Sequence, residues 1–311
     1  MTGLLSTTFF AALVSGAILA GLPLFFAGLG ETLGEQAGVL GIGMEGYMLI
    51  GAYAGINGAL YGHSAWVGLL CGVLGGIAVS ALVALLAVRL GLDQIVVGIG
   101  VILLGEGLTS VLHAAQFGSS YPRIAEMQHL SIPLLSRIPV IGVGLFSQPL
   151  IFWIGIALVF VLRWILRSTR WGLNLRAAGE RPQAVDAAGV DVTRVRIWAV
   201  LASGALAGLG GAYLSVVVAG VFNPLMTNGA GFIAIVLAML GRGRPGWVLF
   251  GALLFGASRS VATALQLVGV SLPTDVVFML PFIVVMVALV MFARRSYLPA
   301  ALGTPYRRGE R

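Results

Sequence analysis

The stretch SAWVGLLCGVLGGIAVSALVALLAV (64–88) decides the fold, because it runs for 25 residues without one charged side chain. About 20 apolar residues are enough to cross the hydrocarbon core of a bilayer as an α-helix. The stretch therefore predicts a membrane-spanning helix. Its glycines at positions 68, 72 and 76 recur every four residues, and this spacing lets another helix approach closely in lipid.

Comparable apolar runs flank this stretch on both sides and predict an all-α integral membrane protein. The runs lie near 7–29, 38–60, 92–115, 148–167, 197–220, 246–267 and 275–293. A shorter run at 230–241 predicts either a tilted short span or a half-helix buried among the others. We expect a polytopic helical bundle of 8–10 transmembrane segments, with further close contacts at Gly51 and Gly55 and at Gly204 and Gly208.

Composition excludes a soluble domain and a nucleic-acid binding protein. Hydrophobic residues make up 59% of the chain and charged residues only 9%, whereas about a quarter of an ordinary soluble domain is charged. The net charge of +7 comes from 18 arginines, which cluster in a few gaps between apolar runs without the aromatic interleaving that single-stranded nucleic acid requires. The first run has no arginine before it and no cleavage site, so we expect a spanning helix there and not a removed signal peptide.

Arginine placement predicts the orientation, since short cytoplasmic loops retain positive residues. With a cytoplasmic C-terminus and 230–241 crossing the membrane, 15 of the 18 arginines lie inside, and nine segments put the N-terminus outside. We therefore expect one transmembrane domain over 1–311. It would have an extracytoplasmic loop at about 116–147, a cytoplasmic loop at about 168–196 and a cytoplasmic tail at about 294–311.

No set of residues in the sequence predicts catalysis or a metal site. Cys71 is the single cysteine, and His63, His113 and His129 have no partner at metal-ligand spacing. A Walker-type phosphate loop is also missing from the sequence. We expect that the chain is not an enzyme and binds no cofactor itself, so any energy that drives its function must come from elsewhere.

The cytoplasmic loop carries a recognisable element, RAAGERPQAVDAAGVD (176–191). Pro182 is suited to the first position of a helix, the residues from Gln183 to Ala188 are mostly small, and Gly189 ends the helix. Charges flank the small-residue face, as expected of an element that fits a groove on a partner protein.

This element resembles the coupling loop of ABC-importer permeases, which docks in an ATPase subunit. Three further stretches narrow the resemblance to the nucleoside and simple-sugar branch, which is related to the ribose and branched-chain amino-acid permeases. They are EQAGVLGIGMEGYMLIGAYAG (35–55), FNPLMTNGAGFIAIVLAMLGRGRPGWVLFGALLFG (222–256) and LPTDVVFMLPFIVVMVALVMFARRSYLPAALGTPYRRGER (272–311). The chain is similar to the shorter of two paired permeases, because it lacks a large N-terminal extension.

The resemblance implies a permease subunit of an ATP-driven importer in the bacterial inner membrane, for nucleosides or alternatively for simple sugars. It also implies a second homologous permease, an extracytoplasmic substrate-binding lipoprotein, and an ABC ATPase with two nucleotide-binding modules that hold ATP and Mg²⁺. The residues implied to couple to the ATPase are Glu180, Arg181, Pro182, Ala184, Ala188 and Gly189.

Polar residues inside apolar runs are candidates for the solute path, because a charge at bilayer depth costs about 2.5–3.5 kcal/mol. Glu45 lies in the glycine-rich stretch GIGMEGYM, which favours an interrupted helix next to a cavity. Its carboxylate could accept hydrogen bonds from a solute, or it could cap a helix end or order a neighbouring subunit.

A second candidate stretch is FNPLMTNG (222–229), where Pro224 and Gly229 interrupt the helix. In the related permeases the matching turn lies near the translocation path, so the resemblance implies solute contacts for Asn223 and Thr227. Ordinary helix capping is the alternative, and Asn228 fits it best.

Two charged residues depart from the family pattern, namely Glu106 in LLGEGLTS and Arg259 in the run 246–267. We expect them to form a structural ion pair between two helices, with Asp275 as a less suitable partner because it is placed to cap the last helix. An ion-coupled secondary transporter is the competing class, and it would require membrane carboxylates that form an ion relay.

Overall fold

The computed structural model describes residues 7–124, 127, 141–267, 274–292 and 298–306. The helices in these ranges are α1 (Thr7–Gln36), α2 (Met44–Gly62), α3 (Ala65–Val83), α4 (Gln94–Phe117), α5 (Ile141–Phe146), α6 (Leu150–Ser168), α7 (Arg170–Glu180), α8 (Pro182–Ala187), α9 (Val192–Ala212), α10 (Ala230–Gly241), α11 (Pro245–Leu267) and α12 (Thr274–Phe292).

Every predicted apolar run contains a helix, so the all-α membrane bundle is confirmed. Six helices in the described residues are long and apolar enough to span a bilayer, namely α1, α3, α4, α6, α9 and α11, with α3 and α9 counted through the segments that follow them. Two shorter apolar helices are α10 and the part of α12 at Met279–Ala288. The 12 residues of α10 extend about 18 Å, which is shorter than the hydrocarbon core of about 30 Å.

Four helices differ in detail from the sequence prediction. Helix α1 continues past position 29 to Gln36, and α7 forms a regular helix within the predicted cytoplasmic loop. Helices α3 and α9 each continue as a π-helical segment, at Ala84–Arg89 and Tyr213–Ala219. Apolar periodicity predicts helical structure in such a segment but does not distinguish a π-helical turn from an α-helical one.

Two helices organise the packing of the bundle. Helix α1 lies along α9, α10 and α11, while α9 also packs against α2 and α3. Phe25 of α1 packs on Phe26, and the Phe26 ring meets Tyr213, the residue that follows α9, in the buried core. Because lipid tails are as apolar as these side chains, close van der Waals packing holds the helices together.

The predicted glycine contacts are confirmed where α2, α3 and α9 cross. A Cβ atom added to Gly208 would clash with the backbone of Gly72 and Gly76, and one added to Gly51 would clash with the backbone of Gly208. A Cβ on Gly76 would in turn collide with the carbonyl oxygen of Gly204. The three backbones therefore approach so closely that only glycine fits.

Substituting Gly208 with leucine is expected to destabilise the bundle by roughly 3 kcal/mol, the upper range for overpacking a tight core, because backbone atoms cannot move aside. Thermal unfolding of the detergent-solubilised protein measures this loss. Gly100→Leu is the matched control, since no atom lies within 4 Å of a Cβ added there. Equal unfolding temperatures for the two variants would show that the crossing is not tightly packed.

Much of the predicted extracytoplasmic loop lies outside the described residues. Helix α4 ends at Phe117 and α5 begins at Ile141, and positions 125–126 and 128–140 between them are not described. The extracytoplasmic placement of this loop therefore stays a prediction. Only 298–306 of the predicted cytoplasmic tail is described.

Candidate functional site

The Glu45 carboxylate lies at the N-terminus of α10, although Glu45 itself belongs to the first turn of α2. Its Oε1 accepts hydrogen bonds from the Thr227 hydroxyl at 2.5 Å and from the backbone N–H of Gly229 at 2.8 Å. Its Oε2 accepts one from the N–H of Gly231 at 2.7 Å. Glu45 is only 4% exposed, so these bonds are shielded from solvent.

This arrangement explains how a carboxylate is tolerated at that depth. The N-terminus of a helix carries unsatisfied N–H groups and a partial positive charge, and both are complemented by an anionic acceptor. The structure thus favours the capping alternative for Glu45, and it brings Glu45 and Thr227 into direct contact. Asn228 does not cap α10 with its side chain; Glu45 from a different helix does so instead.

The segment 220–229 between α9 and α10 runs inside the depth of the bundle. The Phe222 ring meets Tyr53 in the middle of α2 at 5.3 Å, and Thr227 meets Glu45 in its first turn. Tyr53 and Glu45 are eight residues apart on α2, a rise of about 12 Å. Positive φ values at Leu225 and Asn228 show that this backbone is irregular.

Polar side chains are presented by this irregular segment. Asn223 and Asn228 are exposed, whereas Thr227 is buried. Irregular backbone at membrane depth is tolerated where it is buried in protein or lines a watery cavity. The exposed face of 220–229 is therefore suited to an aqueous path or to a second subunit, and not to lipid.

An aromatic and polar surface lies next to this segment. The Tyr53 hydroxyl donates to Gln116 Oε1 at 2.5 Å, and Gln116 Nε2 donates to the Tyr61 hydroxyl at 2.7 Å. The ring of His113, for which no role was predicted, packs against Phe222 with a centroid distance of 5.6 Å. Rings and amides that converge in this way can stack on a flat solute and hydrogen-bond to its edge.

Two buried carboxylates escaped the sequence analysis, because α1 was expected to end near position 29. Glu31 and Glu35 lie one turn apart on α1 and are almost fully buried. Glu31 Oε1 accepts a hydrogen bond from the backbone N–H of Gly41 at 3.0 Å. Both Glu35 oxygens lack a hydrogen-bond partner among the residues that the structure describes. Their spacing of four residues, in the sequence ETLGE, was the signal that could have identified them.

The predicted short helix in the cytoplasmic loop is present as α8, with Pro182 at its first turn and a positive φ at Gly189 after its end. Pro182 and Val185 are buried against the bundle. The opposite face is exposed and small, and it consists of Ala184, Ala187, Ala188 and Gly189. Glu180 is partly exposed and Arg181 exposed, so the two charges flank this face as expected.

A buried guanidinium joins the α7–α8 region to the rest of the bundle. Arg196 of α9, only 2% exposed, donates to the carbonyl oxygens of Ala37 at 3.1 Å, Thr304 at 2.8 Å and Ala178 at 3.5 Å. These carbonyls belong to the end of α1, to the segment 298–306 and to α7. We call Arg196 and its three carbonyl partners the arginine clamp.

Backbone bonds reinforce this junction. The Ala301 N–H donates to the Gly179 carbonyl at 2.8 Å, and the Gly303 N–H donates to the Gly38 carbonyl at 3.2 Å. The segment 298–306 therefore contacts both α7 and the turn between α1 and α2. A movement of α7 would be transmitted through these bonds to the turn that precedes Glu45.

The predicted ion pair between Arg259 and Glu106 is not formed. The ion pair seen in the described part of the chain is instead Arg194 with Asp191, an exposed contact within α9 and its cap. Helix α4 packs chiefly against α2, while α11 packs against α1 and α12, so similar depth does not bring the two charges together. The side chain of Asp275 lies outside the described residues, and its capping role stays a prediction.

The described residues contain no group of three or more His, Cys, Asp or Glu side chains that could hold a metal ion.

The comparisons with known proteins agree with this architecture. Residues 13–290 match the family described as branched-chain amino acid transport system / permease component. The nucleoside ABC transporter permease protein NupC of Lactococcus lactis subsp. cremoris is 32% identical, covering 94% of this chain and 96% of NupC. The guanosine ABC transporter permease protein NupQ of Bacillus subtilis is 33% identical over 96% and 97% of the two chains. A putative glucose ABC transporter permease protein of Haloferax volcanii, TsgC13, is 34% identical over 80% and 76%.

Proposed function

Because this chain belongs to the family of permease components of branched-chain amino acid transport systems, we propose that it is the transmembrane permease subunit of an ATP-driven nucleoside importer. The observation that carries this proposal is the segment 220–229, an irregular stretch inside the bundle that exposes Asn223 and Asn228. Such a segment supplies hydrogen-bonding groups where a solute must leave water.

Nucleosides are favoured over simple sugars by the rings beside this segment. Tyr53, Tyr61 and Gln116 form a hydrogen-bonded surface, and a nucleobase offers both a flat face for stacking and polar edges for amides. Two of the similar permeases are named for nucleosides or guanosine, and one is named for glucose. A simple sugar, such as a ribose-like solute, is thus the second candidate.

Uptake by the reconstituted transporter tests the solute. We expect ATP-dependent accumulation of a radiolabelled nucleoside, with unlabelled nucleosides competing better than ribose or glucose. Asn223→Ala should raise the KM for the solute about tenfold, the effect of losing one or two hydrogen bonds, and leave expression unchanged because Asn223 is exposed. Competition by ribose or glucose alone would make the sugar importer the correct function.

The partners follow from the same proposal. A second homologous permease would cover the exposed face of 220–229, and an ABC ATPase with two nucleotide-binding modules would hold ATP and Mg²⁺. An extracytoplasmic binding lipoprotein would deliver the solute. Under this proposal the chain is a multi-pass protein of the bacterial inner membrane. Its C-terminus is cytoplasmic, and α8 faces the ATPase.

The exposed small face of α8 supports the coupling role of this helix. Ala188→Arg is expected to reduce ATPase association and uptake at least tenfold, since a long charged side chain cannot enter a groove shaped for small residues. Co-purification of the ATPase measures the effect. Ala115→Arg, at an exposed alanine near the far end of α4, is the control and should retain the ATPase. Undiminished association and uptake in Ala188→Arg would contradict docking at α8.

One observation keeps the ion-coupled class as a competing function. Glu31 and Glu35 are buried carboxylates within a helix that can span the membrane, which is what an ion relay requires. The two classes differ in their energy source. Uptake that persists without the ATPase subunit and collapses with a protonophore would establish ion coupling, whereas dependence on the ATPase alone supports the importer.

A further inference from the structure

A cavity of about 570 Å³ lies between the end of α6 and the start of α11, away from the segment 220–229 and from α8. Its lining includes Arg163, Arg167, Arg244, Gly246, Trp247 and Phe250. Space is also open above Gly246, because no atom lies within 4 Å of a Cβ added there.

Three positive charges converge on this cavity, and no carboxylate of the described residues lines it. Arg163 and Arg167 are four residues apart on α6 and therefore share one face of the helix, while Arg244 directly precedes α11. None of the three forms an ion pair within the described part of the chain. Like charges gathered in one cavity repel one another, so an anion bound among them would relieve this repulsion.

Aromatic side chains continue from the cavity along the apolar part of the bundle. Phe250 lies less than two turns into α11 and is 55% exposed, and Phe160 lies one turn before Arg163 on α6 and is 67% exposed. Both helices are long and apolar enough to span the bilayer. The arginines thus sit at the end of two spanning helices, with exposed rings on the side of the hydrocarbon core. Basic pockets between helices with this geometry suit a lipid headgroup and its acyl chains.

We propose that this cavity binds the phosphate group of an anionic phospholipid, with the guanidinium groups on the phosphate and the acyl chains along Phe160 and Phe250. Guanidinium forks match the oxygens of a phosphate. Three guanidinium groups also repel the ammonium group of a zwitterionic headgroup, which an anionic headgroup does not carry. The site is independent of the solute that the permease carries. It would join α6 to α11, two helices that otherwise make few contacts with each other.

Native mass spectrometry of the full-length permease tests the site with phosphatidylglycerol and phosphatidylcholine of matched chains. We expect preferential retention of phosphatidylglycerol. Each Arg→Gln change among Arg163, Arg167 and Arg244 should weaken retention about fivefold. Because all three side chains are exposed, the variants should fold. Arg89→Gln, at an exposed arginine outside the cavity, is the matched control and should retain the lipid fully.

A second variant removes the space and keeps the charges. Gly246→Phe should fill the cavity and lower phosphatidylglycerol retention while leaving the three arginines in place. Excess inorganic phosphate distinguishes a lipid from a free anion, and we expect it not to displace the bound lipid. Displacement by phosphate, equal retention of the two lipids, or equal losses in Arg163→Gln and Arg89→Gln would each overturn the proposal.

Discussion

Replacement of Glu45 by leucine is expected to abolish uptake and to lower the thermal stability of the permease. The change leaves the Thr227 hydroxyl and the N–H groups of Gly229 and Gly231 without their acceptor. Each buried donor left unsatisfied costs about 1–3 kcal/mol, so the combined loss is about 3 kcal/mol or more. Helix α10 also loses the negative charge that complements its N-terminus.

Two further variants test whether the loss comes from the missing cap of α10 or from removing any carboxylate in a membrane helix. Glu45→Gln keeps one acceptor oxygen for some of these donors. Its uptake and unfolding temperature should therefore lie between those of the wild type and Glu45→Leu. Glu106→Leu is the matched control, because Glu106 is a partly exposed carboxylate of α4 that makes no ion pair in the described residues. Unfolding temperatures that fall equally in Glu45→Leu and Glu106→Leu would refute a specific role for the cap.

Arg196→Met should uncouple the transporter even where the chain still inserts in the membrane. The substitution removes the donor from the carbonyls of Ala37, Thr304 and Ala178, which then lie unsatisfied in a buried site. Each buried carbonyl oxygen that is left without its donor costs about 1–3 kcal/mol. Arg196→Lys should recover only part of this loss, since one ammonium group does not reproduce the planar fork of a guanidinium.

The informative measurement for Arg196 is the ratio of solute taken up to ATP hydrolysed, together with the unfolding temperature. A merely structural role would lower stability and leave this ratio unchanged in the molecules that remain folded. The neighbouring Arg194→Met is the control, because the Arg194 side chain is 82% exposed and its pair with Asp191 contributes at most about 1 kcal/mol. If Arg196→Met and Arg194→Met gave the same ratio, the arginine clamp would have no part in coupling.

The elements that could be predicted from the sequence are those that depend on local composition. Apolar runs, the glycine spacing of α3 and the proline at the start of α8 each fix a helix or a close contact through neighbouring residues alone. The partners of Glu45 could not be found in this way, because they lie 182–186 residues further along the chain. The sequence indicated a buried polar residue at Glu45 but left open whether it contacts the solute or has a structural role. The fold was needed to favour the helix cap.

The position of a charged residue along its apolar run did not predict its partner or its burial. Arg259 and Glu106 lie within spanning helices, but the rotation of each helix about its axis depends on its neighbours and is not encoded in its length. Arg196 was counted among the arginines of an inside loop, although it is a buried residue of α9. Glu31 and Glu35 were missed because charged residues at the end of an apolar run resemble the start of a loop.

The order in which the arginine clamp is assembled follows from the order of synthesis. Ala37, Ala178 and Arg196 leave the ribosome long before Thr304, whose carbonyl completes the set. Every one of the helices α1 to α12 is synthesised before this last acceptor. During translation α7 is therefore held by only part of its final contacts, and the set is complete only after residues 298–306 have been synthesised.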